Sequence, residues 1–356
     1  MLDKVARPKL VVIGNGMAGM RTIEHLLERA PDLYDITVFG SEPYGNYNRI
    51  LLSPVLSGEK RIEDIMINAE SWYTENRISL EKGSTIAMID RRSNEVVNEH
   101  GVRFAYDRLL IATGSNPIIL PLPGKDLPGV VTYRDIHDVD RMIETARTKK
   151  NAVVIGGGLL GLEAAYGLMQ RGMTITVVHL VETLMERQLD PSAAALLRSS
   201  LEARGLTFKM PASTNEIIGK TGVEAVRFAN GTEVAADIVV LAVGIRPNFE
   251  LAKRAGLYCE RGIVVTDTMQ TFDGRIYAVG ECVQHRKLTY GLVAPLFEQA
   301  KVCASHLALR GFATYSGSSV STKLKVTGID LFSAGDFAPG ANREDIVLQD
   351  AARGVY

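Results

Sequence analysis

Two glycine-rich turns predict the fold class of this 356-residue chain. "VVIGNGMAGM" begins at Val11 and "VVIGGGLLGLE" at Val153, each an unbroken apolar strand running into GxGxxG and then a helix-spaced apolar run. Each is followed by a second apolar strand and by short β segments separated by turns. The pattern predicts an α/β protein: two Rossmann-like dinucleotide-binding domains (three-layer ββα, each with an inserted β-meander) plus the start of a small α+β C-terminal domain.

Taken in order, residues 10–13 (LVVI) form a strand without alternation, as a parallel strand covered on both faces requires. Met20, Ile23, Leu26 and Leu27 keep helical spacing after the turn, and "DITVFG" from Asp35 is the next strand. Residues 60–80 read as mainly helical, with Trp72 and Tyr73 in the core. From 83 to 112 short strands alternate with turns and end in a buried strand over 109–112. "SNPIILPLPG" from Ser115 reads as a proline-rich linker. The second unit then repeats the first: strand 152–155, helix about 159–171, strand 174–178 and a meander over 206–241. A long helix is predicted from about 293 to 310. Past Gly311 the chain starts a third unit too short for a core of its own. The division expected is 1–114 with 246–312, then 115–245, then an incomplete interface-type domain at 313–356. The closing "LQDAARGVY" reads as a strand and turn without a partner, which predicts local disorder over 340–356 or packing against a neighbour.

Composition excludes several classes. The chain is 46% hydrophobic and 23% charged with a formal net charge of −1, so no global field draws it to nucleic acid or an anionic membrane. No apolar run reaches the length of a membrane span, and no signal-type core precedes the first strand. Cys259, Cys282 and Cys303 make no CxxC pair and no disulfide framework, which predicts a reducing, cytoplasmic setting and no metal site.

In such a turn the first glycine bends the chain, the second lets backbone approach a pyrophosphate, and the third lets helix and strand pack closely. Gly14, Gly16 and Gly19 fill these positions, as do Gly156, Gly158 and Gly161. The phosphate sits on the free N–H groups of the helix start. Two such sites on one chain point to two cofactors exchanging electrons, with FAD and NAD(P)H as the common pair. The strand end that should carry a ribose-binding Asp or Glu reads Gly40-Ser41-Glu42 in the first unit and His179 in the second. His179 reads either as a cofactor contact or as a solvent-edge histidine. No Arg or Lys follows it until Arg187, so NADH is expected over NADPH.

The motifs "VVIGNGMAG", "LLIATGS", "VVIGGGLLGLE", "VLAVGIRPN" and "IYAVGEC" together resemble the FAD-dependent pyridine nucleotide–disulfide oxidoreductases over residues 8–312. The resemblance assigns FAD to the first division and NAD(P)H to 115–245. It implies FAD contacts from Gly14, Gly16, Met17, Ala18, Gly19, Ser41 and Glu42, and from Ala112, Thr113 and Gly114 of the ATG motif. It also implies contacts from Ile86 beside the adenine, from Arg134, and from Gly280 and Glu281, where the family has Gly-Asp on the ribityl–phosphate chain. NAD(P)H would lie on Gly156, Gly158, Leu159, Leu160, Gly161, Glu163, His179 and Gly244. The helix from 293 would aim its N-terminus at the flavin's pyrimidine edge or simply pack in the core.

Disulfide reductases of this kind carry a dithiol beside the flavin, and persulfide or peroxide reductases a cysteine near position 45. "PYGNYNRILLSP" from Pro43 carries neither, and Cys282 reads as a small residue packed in a turn. Reducing equivalents are therefore expected to leave singly, towards a metal centre, as in ferredoxin and rubredoxin reductases. Those relatives have an arginine matching Arg49, near the flavin, and a lysine where Pro54 stands, paired with the glutamate matching Glu163. Either Arg49 takes over that role here, or Glu163 is an unpaired helix carboxylate. More narrowly, "YNRILLSPVLSGEK", "HLVETLMERQLD" and "STKLKVTGIDLFSAGDF" resemble the N-terminal flavin module of the NAD(P)H-dependent assimilatory nitrite reductase large subunit, in which iron–sulfur and sirohaem domains follow. Scattered cysteines supply no cluster of their own, and a fragment, a truncated form and a stand-alone homologue stay open.

The expectation is an NAD(P)H-dependent FAD oxidoreductase that passes hydride from NADH to FAD and single electrons to an iron–sulfur or sirohaem acceptor, as a protein or a normally fused domain. The alternatives are a stand-alone ferredoxin or rubredoxin reductase and a FAD-binding redox-sensing scaffold. No nucleic acid or membrane partner is expected, a homodimer is left open, and no acid–base catalyst is assigned because hydride transfer needs alignment above all.

Overall fold

The structure, a computed structural model, describes residues 6–319, 321–326, 328–335, 344, 346–350 and 353–356. The described residues divide into two compact units. One lies within Met1–Asn48, Met66–Asn116 and Arg246–Val320, the other within Arg49–Ile65, Pro117–Ile245 and Ser321–Tyr356.

In the first unit a five-stranded parallel sheet runs in the order Ile276–Ala278, Arg108–Ile111, Lys9–Ile13, Asp35–Gly40, Ile78–Lys82. Val12 pairs with Val38 on one side and Leu110 on the other, and Leu10, Val12, Leu110 and Ile111 are fully buried. That explains their unbroken apolar sequence: a strand covered on both faces has no side to leave polar. The helices Met17–Arg29 and Val293–Leu307 pack on one another, and the Tyr34 hydroxyl donates to the Leu307 carbonyl at 2.9 Å. The meander Ile86–Asp90, Glu95–Asn98, Arg103–Ala105 is antiparallel.

The second unit repeats the plan. Its parallel sheet is ordered Thr207–Lys209, Thr174–Val178, Asn151–Ile155, Ile238–Leu241, Val130–Thr132. Its meander is Thr214–Ile218, Ala225–Phe228, Glu233–Ala235. Both meanders break register near the start of their first strand, at Ile86/Met88 and Thr214/Glu216. The duplication thus extends to an irregularity in the ladder.

Three expectations need correction. Residues 60–80 are not mainly helical: Glu63–Ile65 is one 3₁₀ turn, Glu70–Glu75 a short helix, and Ile78–Lys82 the outermost strand of the sheet. That strand buries only its first residue, so it carries too weak an apolar pattern to be legible. Second, residues 49–65 belong with the second unit, not the first. The helix Leu52–Ser57 packs on the helix Leu159–Gln170, where a Cβ on Gly167 would stand 2.7 Å from Leu56 Cγ. The Arg171 guanidinium satisfies the end of that short helix, donating to the carbonyls of Leu56 at 2.8 Å and Val55 at 3.0 Å. Third, the tail is no separate body: residues 313–319 group with the first unit and the described residues from Ser321 onward with the second. Much of 340–356, where disorder or a neighbour was expected, lies outside the described residues. At its end the Tyr356 hydroxyl donates to Asp190 Oδ2 at 2.5 Å.

Leu110→Ala empties a fully buried site in the centre of the first sheet, and should cost about 2–5 kcal/mol in urea unfolding. A loss below about 1 kcal/mol would contradict the packing described.

Candidate functional site

The two glycine turns are built alike. At Gly14 φ is +116° and a Cβ would meet the Ala112 carbonyl oxygen at 2.2 Å; at Gly156 φ is +128° and a Cβ would meet the Ala242 oxygen at 2.2 Å. The Gly14 N–H donates to Phe39 O and the Gly156 N–H to Val178 O, each at 2.8 Å, which ties each turn to its neighbouring strand. A Cβ on Gly19 would lie 2.6 Å from Gly14 O, and one on Gly161 2.0 Å from Gly156 O. Only glycine lets helix and strand approach so closely.

The middle glycines are different. Gly16 (φ −85°, ψ 178°) and Gly158 (φ −85°, ψ −177°) have extended backbone open to any residue, and a Cβ there meets nothing within 4 Å. Each caps its helix with no side-chain hydrogen bond and no acid in the first turn. Nothing in the protein demands glycine there. The space and the free N–H groups suit an anion approaching the helix start.

In the first unit several expected residues converge on the turn. Ala112 packs on Gly14 and Gly19, and Gly280 (φ +93°) would place a Cβ 3.0 Å from that of Ala18. The Thr113 hydroxyl donates to Asn248 O at 2.6 Å, Asn248 N donates to Gly114 O at 2.9 Å, and the Ser115 hydroxyl donates to Glu281 Oε2 at 2.8 Å. Met17 opens the helix. Ser41 and Glu42 follow the second strand, where Gly40 abuts Asn15, and Glu42 accepts from the Tyr47 hydroxyl at 2.7 Å. Ile86 is buried in the core. Arg49 and Arg134 belong to the other unit, where Arg49 Nη1 donates to Arg134 O at 3.0 Å.

Sequence reasoning missed the residues that brace this turn. Asn46 Nδ2 donates to Asn15 O at 3.0 Å, and the Tyr73 hydroxyl donates to Asn15 Oδ1 at 3.0 Å while accepting from Asn46 N at 3.1 Å. Tyr73 is therefore a bracket as well as a core residue. Gln299 was also missed. Its Oε1 accepts from Gly280 N at 2.9 Å, while its buried Nε2 has no partner among the described residues, leaving a donor at that turn for a ligand. No periodicity marks either role.

In the second unit His179 is not a solvent-edge residue. Its side chain is 11% exposed, and its ring packs on Gly157, where a Cβ would fall 2.7 Å from Cγ. Nδ1 accepts from Gly157 N at 3.1 Å, so the neutral ring carries its proton on Nε2, which faces Thr183 O at 3.2 Å and Glu186 at 3.3 Å. Both nitrogens are used in holding the turn. Leu159 and Leu160 start the helix, with Leu160 41% exposed, and Gly244 (φ +116°) accepts from Ile118 N at 2.9 Å.

Glu163 is 2% exposed and is paired, but not with Arg49. One oxygen accepts from the Ser53 hydroxyl, which itself accepts from Tyr133 at 2.9 Å; the other accepts from Lys325 N at 3.0 Å, with Lys325 Nζ at 3.9 Å. Burial raises the Glu163 carboxyl above its ordinary range, with the Lys325 charge and the hydrogen bonds opposing. Burial pushes the Cys259 and Cys282 thiols up to about 11 and Cys303 higher still, which disfavours the thiolate. Among the described residues no cluster of His, Cys, Asp and Glu could hold a metal ion, and no helix is long and apolar enough to cross a membrane.

Two dinucleotide folds with glycine turns, beside thiols that burial keeps protonated, define a class of nucleotide-linked oxidoreductase. Residues 8–305 match the family model of the pyridine nucleotide-disulphide oxidoreductases, and the chain belongs to that family. It is an oxidoreductase whose family cofactors are FAD and NAD(P)H. It is 50% identical over 352 residues to "Nitrite reductase [NAD(P)H]" of Bacillus subtilis (strain 168), covering 99% of this chain and 44% of that protein. It is 45% identical over 350 residues to the "Assimilatory nitrate reductase electron transfer subunit" of the same organism, covering 98% of this chain and 45% of that one. The chain thus spans less than half the length of these relatives. Among solved structures it is similar to a NAD-dependent persulfide reductase from A. fulgidus, with TM-score 0.86 and 28% identity, covering 92% of this chain and 64% of that one.

Two outcomes follow from this geometry. Gly161→Ala should lose the folded second unit, because its Cβ meets backbone. Gly158→Ala should change urea stability by no more than about 1 kcal/mol, the cost of alanine at a helix cap; equal losses in the two variants would refute the distinction. The second concerns Glu163, whose raised carboxyl favours the fold below pH 4.5, its ordinary value, and costs stability as pH climbs through the folded value. The melting temperature of Glu163→Gln relative to the wild type should therefore rise with pH above 4.5, and a flat or falling difference would contradict the burial cost.

Proposed function

We propose that the first unit binds FAD and the second binds NADH, and that electrons leave singly for an iron–sulfur or sirohaem acceptor, in nitrite reduction. The observation that carries this is the pair of open middle glycines, Gly16 and Gly158, where the protein needs no glycine and an approaching pyrophosphate does.

The residues proposed for FAD are Gly14, Gly16, Met17, Ala18 and Gly19 at the helix start, Ser41 and Glu42 at the strand end, Thr113 and Gly114, and Gly280 with Glu281. Gln299 joins them through its unpartnered Nε2. The flavin, when bound, supplies the conversion of a two-electron hydride into single electrons. The chain's own part is positioning: Asn15, Asn46 and Tyr73 hold the first turn rigid, and His179 holds the second. For NADH the proposed residues are Gly156, Gly158, Leu159, Leu160, Gly161 and Gly244. With both nitrogens engaged, His179 acts on Gly157 and not on a ribose hydroxyl. Glu182 and Glu186 in the following loop disfavour a 2′-phosphate, which supports NADH over NADPH.

An external acceptor is supported by the spacing of Cys259, Cys282 and Cys303, which form no CxxC or CxxxxC pair to take an electron pair. The printed names of the two Bacillus relatives, a nitrite reductase and an electron transfer subunit, support its class.

Anaerobic titration of the yellow protein tests this reading. One equivalent of NADH should bleach the oxidised flavin band, and NADPH should do so far less readily. A protein that retains FAD and is bleached by neither nucleotide would refute it.

A further inference from the structure

Glu163 lies two residues beyond the last glycine of the second turn and is all but excluded from water. A carboxylate there is costly unless something answers it. The cation that does so comes from far along the chain, in the tail. Lys325 gives Glu163 both its N–H at 3.0 Å and its ammonium at 3.9 Å.

The tail around Lys325 is fastened to the same unit at several points. Ser321–Lys323 and Phe332–Ala334 form an antiparallel ribbon, and Thr322, Leu324 and Val326 are buried at 5%, 2% and 2% exposure. Arg204 Nη2 donates to Gly328 O at 2.7 Å, and the Ser333 hydroxyl donates to Gln188 O at 2.6 Å. Gln188 belongs to the loop that follows His179. That loop in turn grips the glycine turn, through Met185 N donating to Gly157 O at 3.0 Å and His179 accepting from Gly157 N. The tail therefore reaches the turn by two routes: directly beneath it through Glu163, and over it through Gln188 and the loop.

We propose that Lys325 is a positioning residue for the pyridine-nucleotide site, and that the ribbon carrying it clasps that site into its binding form. This rests on the reading of the second turn as the NADH site. Lys325 acts through Glu163 and the helix start and need not touch the nucleotide. Removing its charge leaves Glu163 only the Ser53 hydroxyl and one backbone N–H in a dry position, and the structure relieves that by protonating the carboxyl, shifting the helix start or admitting water, at the expense of a turn prepared for phosphate.

The test is calorimetric titration of the purified FAD-containing protein with NAD⁺, which binds without electron transfer, with FAD content read from the visible spectrum. Lys325→Met should weaken NAD⁺ binding roughly tenfold and leave FAD per protein unchanged. Lys325→Arg, which keeps a positive charge beside Glu163, should restore wild-type affinity. In flavin reduction by NADH the loss should appear in the concentration dependence more than in the rate at saturation. Lys325→Met that binds NAD⁺ as the wild type does, or that loses FAD in proportion, overturns the proposal and leaves the function standing. Failure of both Lys325→Met and Lys325→Gln to fold makes Lys325 a stability residue and overturns it too. A wild-type protein that binds no NAD⁺ removes the functional reading, and the clasp with it.

Discussion

A missing methyl group at Gly14 and Gly156 lets each strand end pass within contact of a carbonyl on the neighbouring strand, and the rest of each unit depends on that approach. With Ala112 and Ala242 so close, the third glycine can rest on the first, the helix start swings over the sheet, and its N–H groups are left free. The surrounding polar residues then serve to hold this geometry. Asn15, Asn46 and Tyr73 brace the first turn, and His179 with Met185 braces the second. The braces differ in chemistry although the turns coincide, because the bend is fixed by sterics and the support only has to satisfy the atoms that bend exposes.

The second unit bears an extra cost. A carboxylate buried beneath its helix start gains nothing from solvent, and its partners are one hydroxyl, one backbone N–H and one ammonium. Such an arrangement adds little stability and is effective as a constraint, since Ser53, Glu163 and Lys325 come from three distant stretches of chain that must all be in place together. It also explains why residues 49–65 and the tail group with the second unit.

Much of the fold is legible in the sequence because strand, glycine turn and helix follow local rules. The runs at 10–13 and 152–155 suit only buried parallel strands, and the glycines between strand and helix carry a steric meaning in their spacing alone. What is not legible depends on distance along the chain. Ile78–Lys82 is held in its sheet by pairing with Asp35–Gly40 and not by its own pattern. Pro54 suggests that Glu163 has lost its cation, since nothing in a sequence shows that Lys325 folds back to it. His179 is legible as occupying the ribose position, yet its ring serves Gly157, a contact that only the path of the following loop reveals.

The central claim is that the two turns are separate ligand sites whose middle glycines are kept for what binds there. The most direct measurement is FAD and NAD⁺ stoichiometry in Gly16→Ala and Gly158→Ala, alongside their folding. The account predicts that both variants fold, that Gly16→Ala retains less FAD, and that Gly158→Ala keeps its FAD and binds NAD⁺ more weakly. If both variants bind both nucleotides as the wild type does, the open glycines are not ligand sites and the account is wrong.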